Sequence, residues 1–127
     1  MPIYRRQTVA GLSLVLLCTS AAWSADDPGE LAFNNNCRTC HSTKAGDNRL
    51  GPSLAHVVGA KSGSQPGYAN YSQAMKTAAI TWDEQTLDRF IANPDNVVPN
   101  NNMKPFKGVP DPAVRKTIIE HLKSGSG

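Results

Sequence analysis

Beyond its N-terminal segment this chain has no apolar run near the about 20 residues that a membrane helix needs, which excludes a bilayer-spanning helix there. Alternating apolar and polar runs are missing too, so little points to strand. There are no internal repeats. Basic residues are in only slight excess, 13 Lys and Arg against 10 Asp and Glu, and no stretch carries a run of them; a nucleic-acid role has no support. Cysteine is scarce, with three in all, at positions 18, 37 and 40.

The N-terminal segment has the features of an export signal. Arg5 and Arg6 give a positive start, residues 9–17 are mostly apolar, and Ala22-Trp23-Ser24 is a small-x-small cleavage sequence ahead of Asp26 and Asp27. The expected organisation is a cleaved signal over residues 1–25 and one domain over 26–127, with Ser24 and Ala25 both acceptable as the last residue removed. Arg5-Arg6 also suits a twin-arginine signal, and Cys18 a lipid-attachment site, although the bulky Leu17 before it argues against the latter. General export to the periplasm is the reading adopted, with a soluble mature protein. Losing Arg5 and Arg6 leaves 11 basic residues against 10 acidic, a formal balance of +1. A domain of this size has a thin core.

Both remaining cysteines sit in one pentad, Cys37-Arg38-Thr39-Cys40-His41. In an exported chain Cys-x-x-Cys-His points to covalent haem c: two thiols three positions apart each add to a vinyl group, and the following histidine is placed to bind the iron. A redox dithiol is one rival, but it belongs in a βαβ context and needs no adjacent histidine. Zinc is another, and it requires a fourth ligand, for which His56 and His121 are the histidines left. A large, flat, covalently fixed cofactor would supply the core that the chain lacks, so the polypeptide without it is expected to fold poorly.

The helical signals are few and local. Pro28 suits a first helical position, and Leu31, Ala32 and Phe33 lead into the pentad. Residues 42–67 are loop, punctuated by Gly51-Pro52 and Gly59. Residues 72–78 suit one or two helical turns. Thr81-Trp82-Asp83-Glu84 is a capping box, with Thr81 as the cap, before a helix that buries Leu87, Phe90 and Ile91 and stops at Asn93-Pro94. Residues 94–110 read as loop. Asp111 and Pro112 open a last helix with Val114, Ile118 and Leu122 at helical spacing. The fold class is all-α, with three to five helices and long loops around one haem.

The sixth iron position separates an electron carrier from a haem that binds small ligands. Met75 falls in a helical stretch, where methionine is usually core filler. Met103 lies in a loop between Asn100-Asn101-Asn102 and Pro105-Phe106, free of any helix face, and is the foremost candidate. His56 stands second, and His121 reads as a surface or packing residue.

Gly29 and Phe33 ahead of Cys37, Gly51-Pro52-Ser53-Leu54, residues 71–76, Ile80-Thr81-Trp82, Asn93-Pro94, Val98-Pro99 and Met103 together resemble the class I c-type cytochromes, over nearly all of residues 26–127. The resemblance implies that the first helix packs across the last and that the Pro52 carbonyl receives the ring N–H of His41. It implies that Tyr71 and Trp82 donate hydrogen bonds to a buried propionate and that His41 and Met103 are the axial ligands. Three positions depart from the family pattern: Ala60 replaces a propionate-pairing arginine, Phe90 replaces a tyrosine that bonds the ligand sulfur, and the run from Asn102 to Phe106 differs. The lysines that remain for a haem edge are sparse: Lys44, Lys61, Lys104 and Lys107.

These features together point to a periplasmic single-haem electron-transfer protein and not an enzyme. It would shuttle one electron between a donor dehydrogenase or membrane complex and an acceptor such as a terminal oxidase. The alternative is a haem c electron-transfer subunit of a periplasmic oxidoreductase complex. An enzyme or gas sensor with an open haem is disfavoured by Met103. The partners expected are redox proteins, with no nucleic acid and no membrane insertion after signal cleavage, the chain being a monomer or an enzyme-bound subunit.

Overall fold

The computed structural model describes Pro2, Ile3 and residues 26–125. The expected export signal over residues 1–25, including Cys18, lies outside the described residues apart from Pro2 and Ile3, as do Ser126 and Gly127. The described chain forms five helices, in order α1 Pro28–Asn36, α2 Gln73–Thr77, α3 Glu84–Ala92, α4 Pro94–Val97 and α5 Pro112–Lys123. Among the described residues none is long and apolar enough to cross a membrane.

Each helix starts on a side chain that satisfies a free backbone amide. Asp27 Oδ2 accepts from Glu30 N at 3.2 Å and Pro28 comes next as the first residue of α1, while Ser72 accepts from Met75 N at 3.1 Å to open α2. At α3 the cap is Asp83, which accepts from Thr86 N at 2.7 Å, and not Thr81. Thr81 is committed elsewhere: it forms an antiparallel bridge with Lys61, flanked by Ser62 N to Ile80 O and Trp82 N to Ala60 O, each 2.8 Å. Its backbone is therefore extended when the helix begins. Glu84, the other half of the expected box, pairs with Lys123.

The stretch over residues 94–110 is not all loop, contrary to expectation. Asn93 ends α3 and at once caps α4, its side chain accepting from Asp95 N at 3.1 Å and Asn96 N at 3.3 Å. Pro94 thus stops one helix and starts the next. After α4 the chain is held at both ends of its remaining loop, by Asn101 N to Val98 O at 3.2 Å and by Val109 N to Ile91 O at 2.9 Å.

The core lies where α1 and α3 both pack on α5. Phe33 from α1, Leu87, Phe90 and Ile91 from α3, and Ile118, Ile119 and Leu122 from α5 are all buried, with Trp82 beside Phe90 at a ring separation of 4.8 Å. Arg115 fastens this corner: Nε donates to Asp88 Oδ1 at 2.7 Å, and Nη1 donates to the carbonyls of Val109 and Pro110 at 2.9 and 2.8 Å. His121 packs against Phe33, with ring centroids 5.8 Å apart, and its Nδ1 lies 3.2 Å from Asp27 Oδ2.

Gly29 makes the α1–α5 crossing possible. A Cβ placed there would stand 2.7 Å from the Cβ of His121, closer than real carbons approach. In Gly29→Ala the better helix propensity of alanine, about 0.8–1 kcal/mol, is opposed by an overpacking cost of about 1–3 kcal/mol. The expected result is a net loss of stability, read as a lower denaturant midpoint with an unchanged slope.

Candidate cofactor site

The turn that ends α1 presents the pentad. Cys37 N bonds Phe33 O at 2.7 Å, and Cys40 N and His41 N both return to Cys37 O, at 3.1 and 3.0 Å. The next loop folds back along the same turn, with Gly51 N on Cys40 O and Leu54 N on Ser42 O, each 2.8 Å. Ser53, only 1% exposed, locks that return: its Oγ donates to Lys44 O at 2.7 Å and its amide donates to Asn48 Oδ1 at 2.8 Å. Between these anchors the Pro52 carbonyl comes to 2.7 Å from His41 Nδ1. A carbonyl can only accept, so the Nδ1 atom carries the proton and the Nε2 lone pair is left free. Burial holds the imidazole below its ordinary pKa, partly offset by the Pro52 bond, and the ring is neutral near pH 7.

His41 forms part of the wall of an open, largely apolar cleft with about 1110 Å³ of empty space, some of it continuous with solvent. Cys37, Pro52, Tyr71, Trp82 and Met103 line the same cleft. Cys40 is half-buried on the pentad turn and outside the lining. His56 stands apart, exposed, beside a separate depression with Lys44 and Leu54. Met75 lines the main cleft as Met103 does, so lining does not distinguish the two thioethers. Lys61 is the one Lys, Arg, Asp or Glu of that lining, as expected of a surface meant for an apolar body, since an unpaired charge in low dielectric is costly. Ala60 and Phe90 are on the lining too.

Of the side chains on the far wall, Tyr71 Oη accepts from Gln65 N at 3.1 Å, which leaves its own O–H to donate, and its ring meets Tyr68 edge-on at 4.8 Å. Trp82 is held by two backbone bonds, its N to Ala60 O at 2.8 Å and its O from Gly59 N at 2.7 Å. Neither motif nor spacing singles out Asn101, yet its side chain makes three hydrogen bonds, one of them to Met103 N. A signal is present in the run of three asparagines, a residue that readily bonds backbone two positions on. The two rival readings of the pentad lose their context. Among the described residues no three His, Cys, Asp or Glu side chains group as a metal-ion site, and no βαβ unit is present.

The cytochrome c family profile matches residues 27–124. The chain belongs to the cytochrome c family. Among its relatives, cytochrome c2 of Rhodomicrobium vannielii is 40% identical over 125 residues, spanning 94% of this chain and 95% of that one. Cytochrome c2 iso-2 of Magnetospirillum fulvum is 43% identical over 88 residues, spanning 69% and 90%. The solved structure of cytochrome cH from Methylobacterium extorquens superposes with a TM-score of 0.69 at 41% identity, covering 76% of this chain and 95% of that one. As a cytochrome c the chain carries one covalently attached haem c, whose attachment motif Cys37 and Cys40 fit, and it serves electron transfer rather than catalysis. The cleft suits that group in its lining, which is largely apolar and nearly free of charge.

Gly51 leaves the histidine ring its place. A Cβ there would lie 2.4 Å from His41 Cε1 and 2.7 Å from Nδ1. Gly51→Ala should push the ring off the Pro52 carbonyl, lowering stability by about 1–3 kcal/mol in a denaturant titration of the holoprotein. Unchanged stability would count against this account of the ring's seating.

Proposed function

We propose that residues 26–127 are a periplasmic single-haem electron carrier, freed from an export signal over residues 1–25. In this reading the haem is joined through Cys37 and Cys40 and its iron is held by His41 and Met103. One observation carries the reading: Cys37, a histidine with its Nε2 lone pair free, and a loop methionine all line a single, nearly uncharged cleft. The bound haem supplies one-electron chemistry, its iron passing between ferrous and ferric states.

Each residue of the chain has a definite part. The Pro52 carbonyl fixes the tautomer of His41 and makes the imidazole more electron-rich, as second partners of ligand histidines generally do. The Met103 thioether is a soft ligand that favours the ferrous state and raises the potential. Tyr71, with its O–H free, and Trp82 are the donors for a haem carboxylate. With Ala60 in place of a cation they act without a fixed charge except that of Lys61. The apolar lining excludes water, so little solvent reorganises when charge changes.

Attachment belongs to the open chain. Once folded, burial and the neighbouring Cys40 push the Cys37 thiol up to about 11, and a protonated thiol is a poor nucleophile. Export in an extended form, as residues 1–25 imply, keeps both thiols reachable at the time they are needed. The partners are then redox proteins of the periplasm, a dehydrogenase or membrane complex as donor and an acceptor such as a terminal oxidase.

Intact mass tests processing and attachment together: the purified protein should weigh residues 26–127, or 25–127, plus one haem, and acid-acetone should leave the colour on the polypeptide. A colourless polypeptide or a retained leader contradicts the corresponding half of the reading. Ligation is tested by the near-infrared charge-transfer band of the oxidised protein, which should vanish in Met103→Ala and persist in Met75→Ala. A wild-type protein that is high-spin and binds carbon monoxide rapidly at neutral pH would remove Met103 from the iron.

A further inference from the structure

We propose that Asn101 is the positioning residue for Met103, a buried amide clamp that fixes the methionine backbone and thereby holds its thioether in the cleft. The inference rests on the reading of Met103 as the axial ligand. Asn101 is 4% exposed although it lies in a loop between two exposed neighbours, Asn100 and Asn102. Its Nδ2 donates to Asp95 Oδ1 and to Val98 O, each at 2.9 Å, and its Oδ1 accepts from Met103 N at 2.8 Å. Both amide protons and the carbonyl are therefore used.

That pattern is specific to an amide. An aspartate would accept from Met103 N but could donate to neither Val98 nor Asp95, and would set two carboxylates against each other. A threonine has one proton to give where two are required. The surrounding chain is shaped to present this side chain inward: Asn100 turns in the left-handed region at φ 64°, Asn102 Nδ2 reaches Asn70 O at 3.1 Å across the cleft, and Lys104 pairs with the same Asp95 that anchors Asn101. Residues on both sides of Met103 are thus tied to Asp95, the first through Asn101 and the second directly. Phe90 has no hydroxyl to offer a sulfur atom, so control of the thioether falls on the backbone that carries it.

The test uses the oxidised holoprotein and imidazole as a competitor for the iron. Asn101→Leu keeps the branched shape, at a somewhat larger volume, and removes all three bonds; it should bind imidazole at least about tenfold more tightly and show a weakened near-infrared band. A tenfold change corresponds to about 1.4 kcal/mol, within the range for a buried hydrogen bond left unmade. Asp95→Ala, at an exposed position, removes one of the three Asn101 bonds together with the Lys104 pair and should give about threefold. Gly29→Ala, which loosens the α1–α5 crossing, should stay within about twofold of wild type, because it acts outside the clamp. Imidazole binding within twofold of wild type in Asn101→Leu overturns the proposal, as does an equal gain in Gly29→Ala, which would mark mere loss of stability. Where Asn101→Leu yields no holoprotein, Asp95→Ala decides on the same criterion. Failure of the underlying ligation is seen separately, as a band that survives Met103→Ala.

Discussion

The contact between His41 Nδ1 and the Pro52 carbonyl, 2.7 Å long, depends on a chain that has already turned twice. The first turn closes α1 and brings the pentad backbone onto Cys37 O; the second returns residues 51–54 along it, with Ser53 buried in the bend. Proline at position 52 has a carbonyl but no amide proton, and glycine at 51 has no Cβ to collide with the ring. These two neighbours let backbone and imidazole approach edge to edge. The direction of the Nε2 lone pair, and with it the use of the whole cleft, is set by that seating.

The cleft and the core are continuous. Trp82, Leu87, Phe90, Ile91, Ile118 and Leu122 belong to the buried cluster and also line the cleft. A protein of this size buries a modest share of its surface, and much of the apolar surface it does gather faces an opening shaped for the haem. Removing that cofactor exposes one side of the helix-packing core itself, so binding free energy and folding free energy are coupled here as they are in small metal-dependent domains.

Much of this is legible in the sequence because it is local. Pro28 and Pro112 mark the starts of α1 and α5, and the four-residue spacing of Val114, Ile118 and Leu122 marks the inward face of α5. Local reasoning misplaces the α3 cap, since Thr81 forms a bridge with Lys61 twenty residues earlier and no propensity rule reports that pairing. The helix over residues 94–97 escapes it because a proline after a helix reads as a terminator, whereas Asn93 caps what Pro94 begins. At the site, Cys37 and His41 are given by a five-residue motif. Met103 stands out by its place in a loop clear of any helix face, whereas Pro52, Tyr71 and Trp82 need the resemblance to a family, for their convergence is set by chain return over tens of residues. Asn101 escapes both, being one of three identical neighbours of which only that one is buried.

The two fastenings of the loop over residues 98–109, at Val98 and at Val109, also determine how that loop competes with dissolved ligands. A side chain leashed between fixed points a few residues away is present at its target at an effective concentration on the order of millimolar or above. A free nucleophile in the surrounding fluid must match that concentration, scaled by its own affinity, before it takes the place of the Met103 sulfur proposed above. In that reading the loop acts as a tethered reagent, and its short leash guards the iron through mass action.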